Sequence, residues 1–170
     1  MKFDKDGSLI WSKIIGTANP SDQIIYNSDV DNNNDLYVIG RTEDSIFDIS
    51  VNNSGNNLSD IMLLKVKGDD GSILFSKNLT DMLVPNNTNT LNDRGYGVLV
   101  TKDNNLLVKG YINENQEFVA KLDISGNLKW LRNLYLTESV TAKGTGIESD
   151  SSGNCYVSME IDNNKYRLLK

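Results

Sequence analysis

Asp70-Gly71-Ser72-Ile73-Leu74-Phe75-Ser76-Lys77-Asn78-Leu79 decides the fold, because the chain carries this pattern three times. The first copy is Asp6-Gly7-Ser8-Leu9-Ile10-Trp11-Ser12-Lys13-Ile14-Ile15, and the third is Ser125-Gly126-Asn127-Leu128-Lys129-Trp130-Leu131-Arg132-Asn133-Leu134. Glycine, aliphatic, aromatic, basic residue and aliphatic recur at matched places. A strand-like run precedes each copy: Met1–Asp4, then Ile61-Met62-Leu63-Leu64-Lys65-Val66, then Phe118-Val119-Ala120-Lys121-Leu122-Asp123. Arg167-Leu168-Leu169-Lys170 matches the same run. The Asp-Gly and Ser-Gly pairs suit a tight hairpin, since glycine accepts a positive φ. Lys2, Lys65, Lys121 and Lys170 align, at separations of 63, 56 and 49 residues. Self-similarity at this spacing marks stacked supersecondary units.

A second hairpin alternates with the first. It reads Asp29-Val30-Asp31-Asn32-Asn33-Asn34-Asp35-Leu36-Tyr37-Val38-Ile39-Gly40, and returns from Leu99 to Gly110 and from Glu148 to Met159. Each time a polar Asn/Asp/Gly turn joins two short strands. Gly95, Gly97, Gly144 and Gly146 begin the first strand of the later copies, where glycine suits a close approach of backbones. Each unit is therefore four short antiparallel strands, and no apolar spacing of helical period is sustained. A four-stranded unit repeated radially is a β-propeller blade, so the expected fold is all-β, with three such repeats in one domain, 1–170. Cut at the lysines, the repeats run approximately 2–64, 65–120 and 121–170. A β-solenoid or sandwich of the same strands is the rival, although solenoid coils are shorter, about 20–30 residues. Ser45–Ser59 and Thr80–Asn92 read as long loops; Pro20 and Pro85, the two prolines, fall between hairpins.

The run from Phe118 to Leu128, followed by Thr145-Gly146-Ile147-Glu148-Ser149-Asp150-Ser151-Ser152-Gly153-Asn154-Cys155-Tyr156-Val157-Ser158, resembles the bacterial seven-bladed β-propeller repeat family called SBBP. Asn92-Asp93-Arg94-Gly95-Tyr96-Gly97-Val98 resembles the segment that links its hairpins. The resemblance covers nearly the whole chain. It implies a propeller and a secreted or cell-surface bacterial setting, and it carries over no catalytic motif. Two positions depart from the pattern: Ser28 stands where Val98 and Ile147 do, and Lys102 stands in a turn that is acidic elsewhere.

Composition narrows the function. The net charge of −6 disfavours nucleic acid and anionic membrane surfaces. The chain has no His, which removes the usual general base and the commonest metal ligand. Its single cysteine, Cys155, rules out an internal disulfide and reads as a small buried hydrophobe. No stretch approaches the ~18 consecutive apolar residues of a membrane span. The first residues lack the apolar core of a signal peptide, so the expectation is a cytoplasmic chain or one without its natural N-terminus. No cofactor is expected.

Asp29, Asp31, Asn33 and Asp35 have the alternate spacing of calcium-loop oxygens, and Glu148, Asp150, Ser152 and Asn154 occupy the aligned places. The same residues also build hairpin turns without a metal, and the first loop lacks the sixth-position Gly and the twelfth-position Glu of the EF-hand form. Trp11, Phe75 and Trp130 match in register and read as packing between sheets rather than as a ligand platform. Lys13, Lys77 and Arg132 read as a solvated strand face. Asn52, Asn57, Asn78 and Asn86 open Asn-x-Ser/Thr triplets, which a chain this rich in Asn produces by chance.

The leading expectation is a non-enzymatic binding or structural scaffold that engages a protein or glycan partner through loops held on a rigid frame. The alternative is a hydrolase or lyase using Asp/Glu carboxylates at the central channel, which fold alone does not exclude. Three blades are too few for a ring, since propellers have four to eight. The expectation is therefore a section of a longer propeller, or a homodimer whose two chains complete six blades.

Overall fold

The computed structural model describes residues 1–16, 23–43, 45, 58–84, 92–113, 116–134, 146–161 and 165–170. Its strands form four antiparallel sheets in chain order. A hairpin comes first, β1 (Lys2–Phe3) with β2 (Leu9–Trp11). A four-stranded meander follows: β3 (Gln23–Val30), β4 (Leu36–Thr42), β5 (Asp60–Val66) and β6 (Ile73–Asn78). The next meander is β7 (Arg94–Val100), β8 (Asn105–Ile112), β9 (Gln116–Asp123) and β10 (Leu128–Asn133). The last sheet holds β11 (Gly146–Ser149), β12 (Cys155–Ile161) and β13 (Lys165–Leu169). The four-stranded antiparallel unit expected from the sequence is thus present twice in full. The lysines used to cut the repeats lie on third strands, so the sheets are phased about half a repeat away from those cuts.

The sheets pack face to face, with β7 against β3 and β4 and β11 against β7. Three apolar layers result. Trp11 and Ile15 cover Val38, Met62, Leu64 and Val66 on one face of the first meander. Its other face sends Tyr37, Ile39, Ile61 and Leu63 against Val98, Leu106, Val108, Phe118, Ala120 and Leu122. Leu107 and Val119, on the far face of the second meander, meet Ile147, Val157 and Met159. Strands β4, β5, β8 and β9 are therefore buried on both faces. That explains why they read as nearly continuous apolar runs rather than as alternating ones. Trp11, Phe75 and Trp130 each enter one layer, as expected of them. Cys155 is half-buried at the edge of the third.

Turn chemistry follows the sequence. Gly71 and Gly126 have φ of 73° and 78°, and Asn34 and Asn104 take 63° and 55° in the other hairpin. The segment read as a loop from Thr80 begins instead inside a short helix, α1 (Leu79–Leu83). The Asn78 side chain caps it by accepting the Asp81 N–H, while Leu79 and Leu83 enter the second layer. Five residues are too few for a helical period to show in the sequence. The remainder of that loop, most of the 45–59 loop, and Gly144 lie outside the described residues.

Two glycines of the central strands are fixed by close approach. The inner strands β3 and β7 each bulge, at Tyr26 and at Tyr96, where one extra residue enters the ladder. Beside each bulge the partner strand carries glycine. A Cβ on Gly40 would lie 2.0 Å from the Ile24 carbonyl oxygen, and one on Gly110 would lie 2.1 Å from that of Arg94. Gly95 and Gly97 differ from the expectation: they leave room for side chains of neighbouring strands, Ile39 and Ile61 at the first and Ile147 and Lys109 at the second. Gly110→Ala should therefore lower the unfolding free energy by about 3 kcal/mol through overpacking. Gly7→Ala, with nothing within 4 Å and a φ of 86°, should lose only about 1 kcal/mol from left-handed strain. Urea unfolding of the two variants measures the contrast.

Candidate functional site

The meander topology sorts the connections by end. One end carries the tight turns at 4–8, 31–35, 67–72, 101–105, 123–127 and 150–154. The other carries the connections that leave Thr42, Asn78, Ile112 and Asn133.

At the tight-turn end an aspartate heads four of the described loops, while Thr101 takes that place in the 101–105 turn, its hydroxyl oxygen accepting the Asn105 N–H. Asp31 Oδ1 accepts the N–H groups of Asn33 and Asp35, both at 2.9 Å. Asp123 and Asp150 repeat this with Ser125/Asn127 and Ser152/Asn154. The second carboxylate oxygen of Asp31 and one of Asp35 then hold the Lys65 ammonium, at 3.1 and 3.2 Å. Lys65 also lies 5.1 Å from the Tyr37 ring centroid. Burial works against its charge, but hydrogen bonds to Tyr37, Asp31 and Asp35 outweigh that and hold the ammonium above lysine's ordinary range. Burial likewise opposes the Asp31 carboxylate. The Asp35 N–H, the Lys65 ammonium and the Asn33 N–H overcome it and lower its pKa.

The calcium-spaced residues therefore have separate duties. Asp31 and Asp35 converge on Lys65, whose ammonium takes the place of a cation between them. Asp29 turns to the next sheet, where its carboxylate accepts the Val100 N–H at 2.7 Å. Asn33 contributes its N–H to the turn. Among the described residues, no group of three or more Asp, Glu, Cys or His side chains converges as metal ligands would. In the second meander the lysine is kept and its partner moves: Lys121 meets Asp103 at 2.8 Å, and this bond with that of Thr101 lowers the Asp103 pKa to about 2. In the last sheet Tyr156 donates to Asp150, and the Lys170 ammonium lies 5.6 Å from the Tyr156 ring centroid. Lys77 reaches the neighbouring turn at Asn127, 2.9 Å away; Arg132 stays over its own Trp130.

A different cluster stands at the opposite end. Both bulges in the inner strands present a tyrosine. Tyr26 and Tyr96 meet edge to face with centroids 4.8 Å apart, and Tyr96 meets Tyr111 the same way at 5.5 Å. The Arg94 guanidinium lies 5.6 Å from the Tyr111 ring centroid and interacts with the Tyr96 hydroxyl. Its Nε is buried with no hydrogen-bond partner. Arg41, at the same end of β4, pairs with Glu43 at 3.3 Å. Burial raises the pKa of the Tyr26 hydroxyl and lifts that of Tyr111 well above its ordinary range. Tyr26, Arg94 and Tyr96 are half-buried, and their accessible parts bring ring, hydroxyl and guanidinium together.

Three buried charges lie behind it. Asp93 accepts the Asn113 N–H, but burial raises its pKa to about 6, with Asp60 nearby adding to the rise. Glu117 is opposite Tyr111 in register, and neither of its oxygens has a hydrogen-bond partner. Burial raises it to about 7, against the pull of Lys109. Lys109 is itself buried and donates to the Ser158 carbonyl at 2.7 Å. Sequence reading passed over all of these. Tyr26 and Tyr96 had a signal, since the repeat register places them at one position. Lys109 and Glu117 interrupt strands that are otherwise apolar.

No known family model matches the chain, and no curated protein matches it either. The residues themselves therefore carry the functional argument.

Two outcomes test the electrostatics. Lys65→Met should destabilise by about 3 kcal/mol at neutral pH, because it strands the buried Asp31 carboxylate. The loss should shrink in acid as that carboxylate protonates, read by thermal unfolding across pH. Glu117 is the opposite case. Its folded pKa lies above its unfolded value, so the folded state binds the extra proton and stability falls as pH rises from about 4.5 to about 7. Glu117→Gln should remove that slope, about 3 kcal/mol over the window, which chemical unfolding at stepped pH measures.

Proposed function

We propose that the chain forms an arc of a β-propeller of the SBBP-like kind and serves as a non-enzymatic binding scaffold in an extracellular or cell-surface bacterial setting. Its partner, a glycan or a protein, meets the end that carries the long connections. The observation that carries this reading is the placement of Tyr26 and Tyr96 at bulges of adjacent inner strands, stacked with Tyr111 and Arg94. Bulges re-aim side chains, and here two of them bring rigid aromatic rings to one place. Tyrosine and arginine supply large contact area at low entropic cost, as they do in binding surfaces generally. The ring surfaces favour a saccharide, whose C–H faces lie flat on tyrosine, with hydroxyls oriented by Arg94.

The enzymatic alternative draws on Asp93 and Glu117, whose pKa values burial raises to about 6 and about 7, and on Asp60 beside Asp93. All three are buried, with Asp93 and Glu117 only 1% exposed, so they do not meet a substrate in this conformation. We therefore prefer the scaffold.

The test is calorimetric titration of the native chain with a panel of neutral and uronate-bearing oligosaccharides, repeated with Tyr26→Ala/Tyr96→Ala. The expected result is binding that the double variant weakens at least about tenfold, with folding unchanged in circular dichroism. Equal binding by both proteins, or no binding by the native chain, overturns the saccharide reading.

A further inference from the structure

The tyrosine–arginine cluster holds a positive charge that no described carboxylate neutralises. Arg41 and Arg94 stand at the same end of β4 and β7, strands that pack across the interface of the two meanders. Burial raises the pKa of the Tyr26 hydroxyl, and the charges of Arg94 and Arg41 both work against that rise, so both guanidiniums act on this one group. Arg41 has a counter-ion: Glu43 Oε1 lies 3.3 Å from its Nη1, and both side chains are mostly buried. Arg94 has none among the described residues. Burial opposes its charge, and the groups that favour it are all tyrosines, Tyr96, Tyr111 and Tyr26.

The acidic side chains closest to Arg94 along the ladder are engaged elsewhere. Asp93, the preceding residue, accepts the Asn113 N–H and lies near Asp60. Glu117 stands beyond Tyr111 in the row Arg94↔Tyr111↔Glu117, and the charge that acts on it is that of Lys109. The Tyr111 ring, with its centroid 5.6 Å from the guanidinium carbon, orients Arg94 by cation–π contact without cancelling its charge. One donor is also unused, since the Arg94 Nε is buried and has no hydrogen-bond partner.

The ladder itself does not require a cation here. Register equates Arg94 with Ile24, through Arg94↔Tyr111 and Ile24↔Arg41, so the first meander places an isoleucine at the same position. A guanidinium partly withdrawn from water, held by rings and hydroxyls and lacking a counter-ion, attracts an anion more strongly than a solvated one does.

We propose that this cluster takes an acidic saccharide, with a carboxylate against Arg94 and a sugar ring on Tyr26 or Tyr96. The inference rests on the saccharide reading of the site and narrows it to uronates. A uronate carries its carboxylate at the rim of the pyranose ring, so a sugar seated on a tyrosine presents that group sideways to a neighbouring side chain. The planar guanidinium donates through a fixed fork that matches both carboxylate oxygens, and its Nε is one tine of that fork. The chain has a net charge of −6, so the surface as a whole repels such a ligand and the Arg94 contact carries the preference.

Calorimetric titration should compare short oligogalacturonates and oligoglucuronates with their methyl esters, which keep the rings and lose the charge. The acids should bind the native chain at least about tenfold more tightly than the esters. Added salt should weaken the acids and leave the esters unchanged. Arg94→Gln should abolish the preference with ester binding and the circular dichroism spectrum unchanged, and Arg94→Lys should keep part of it. If acids and esters bind the native chain alike, the proposal is overturned while the saccharide reading stands. A preference that survives Arg94→Gln, or is insensitive to salt, also overturns it, as does tighter binding of a sulfated galactan than of the uronates. Binding of neither form overturns this proposal and the saccharide reading together.

Discussion

Burial of the central strands of both full meanders on both of their faces is the constraint from which the rest of this structure follows. A four-stranded sheet whose central strands are apolar on both sides cannot stand in water alone. It needs a neighbour on each face, and each neighbour needs another. Leu63 and Leu64 are adjacent in sequence and point in opposite directions, yet both are fully buried. Each such side chain removes about 1.5–3 kcal/mol worth of apolar surface from water. Stability in a series of this kind is carried by the interfaces between sheets as much as by the sheets themselves.

Polar groups fix the spacing and order of the sheets that hydrophobic contact merely brings together. The Trp11 indole donates to the Gly68 carbonyl at 2.9 Å. At the next interface Phe75 takes Trp11's place and has no donor, and the Tyr37 hydroxyl supplies the bond instead, to the equivalent carbonyl of Ile124 at 2.8 Å. The inner strands are joined differently. Asn27 and Asp29 of β3 accept the Val98 and Val100 N–H groups along the edge of β7. An exposed strand edge is a template for wrong pairing, and these side chains close it. The repeat conserves the bond while changing the residue that makes it.

This is also why some features were legible in the sequence and others were not. Glycine after aspartate, an aromatic four residues on and a lysine across the ladder are local requirements of a hairpin in this environment, so they recur and can be aligned. The four-stranded unit followed from them. Helix α1 escaped notice because its stability comes from Leu79 and Leu83 entering a layer built by other segments. The aspartate spacing in the Asp29–Asp35 turn resembled a cation loop because the turn does surround a cation, the ammonium of Lys65, which lies thirty residues beyond Asp35. The tyrosine cluster was legible only in part. Its position recurs in the repeat, but the bulge that aims it is a property of the ladder and leaves no mark in a single strand's sequence.

The buried Lys109 and Glu117 show where the repeats stop being interchangeable. They occupy the positions of Ile39 and Ile61, which fill the space left by Gly95. In the following interface, Lys109 instead ties its ammonium to the Ser158 carbonyl, and Glu117 lies buried without a hydrogen-bond partner. A pair of isoleucines would bury more apolar surface and strand no charge. Repeats with identical faces, however, can stack in the wrong order, and misassembly is the characteristic failure of repeat chains. A sheet bearing Lys109 cannot enter the apolar space beside Gly95 without leaving an ammonium unsolvated, which costs several kcal/mol. Lys109 and Glu117 thus make the two interfaces chemically unlike, and unlike interfaces are what specificity devices work through.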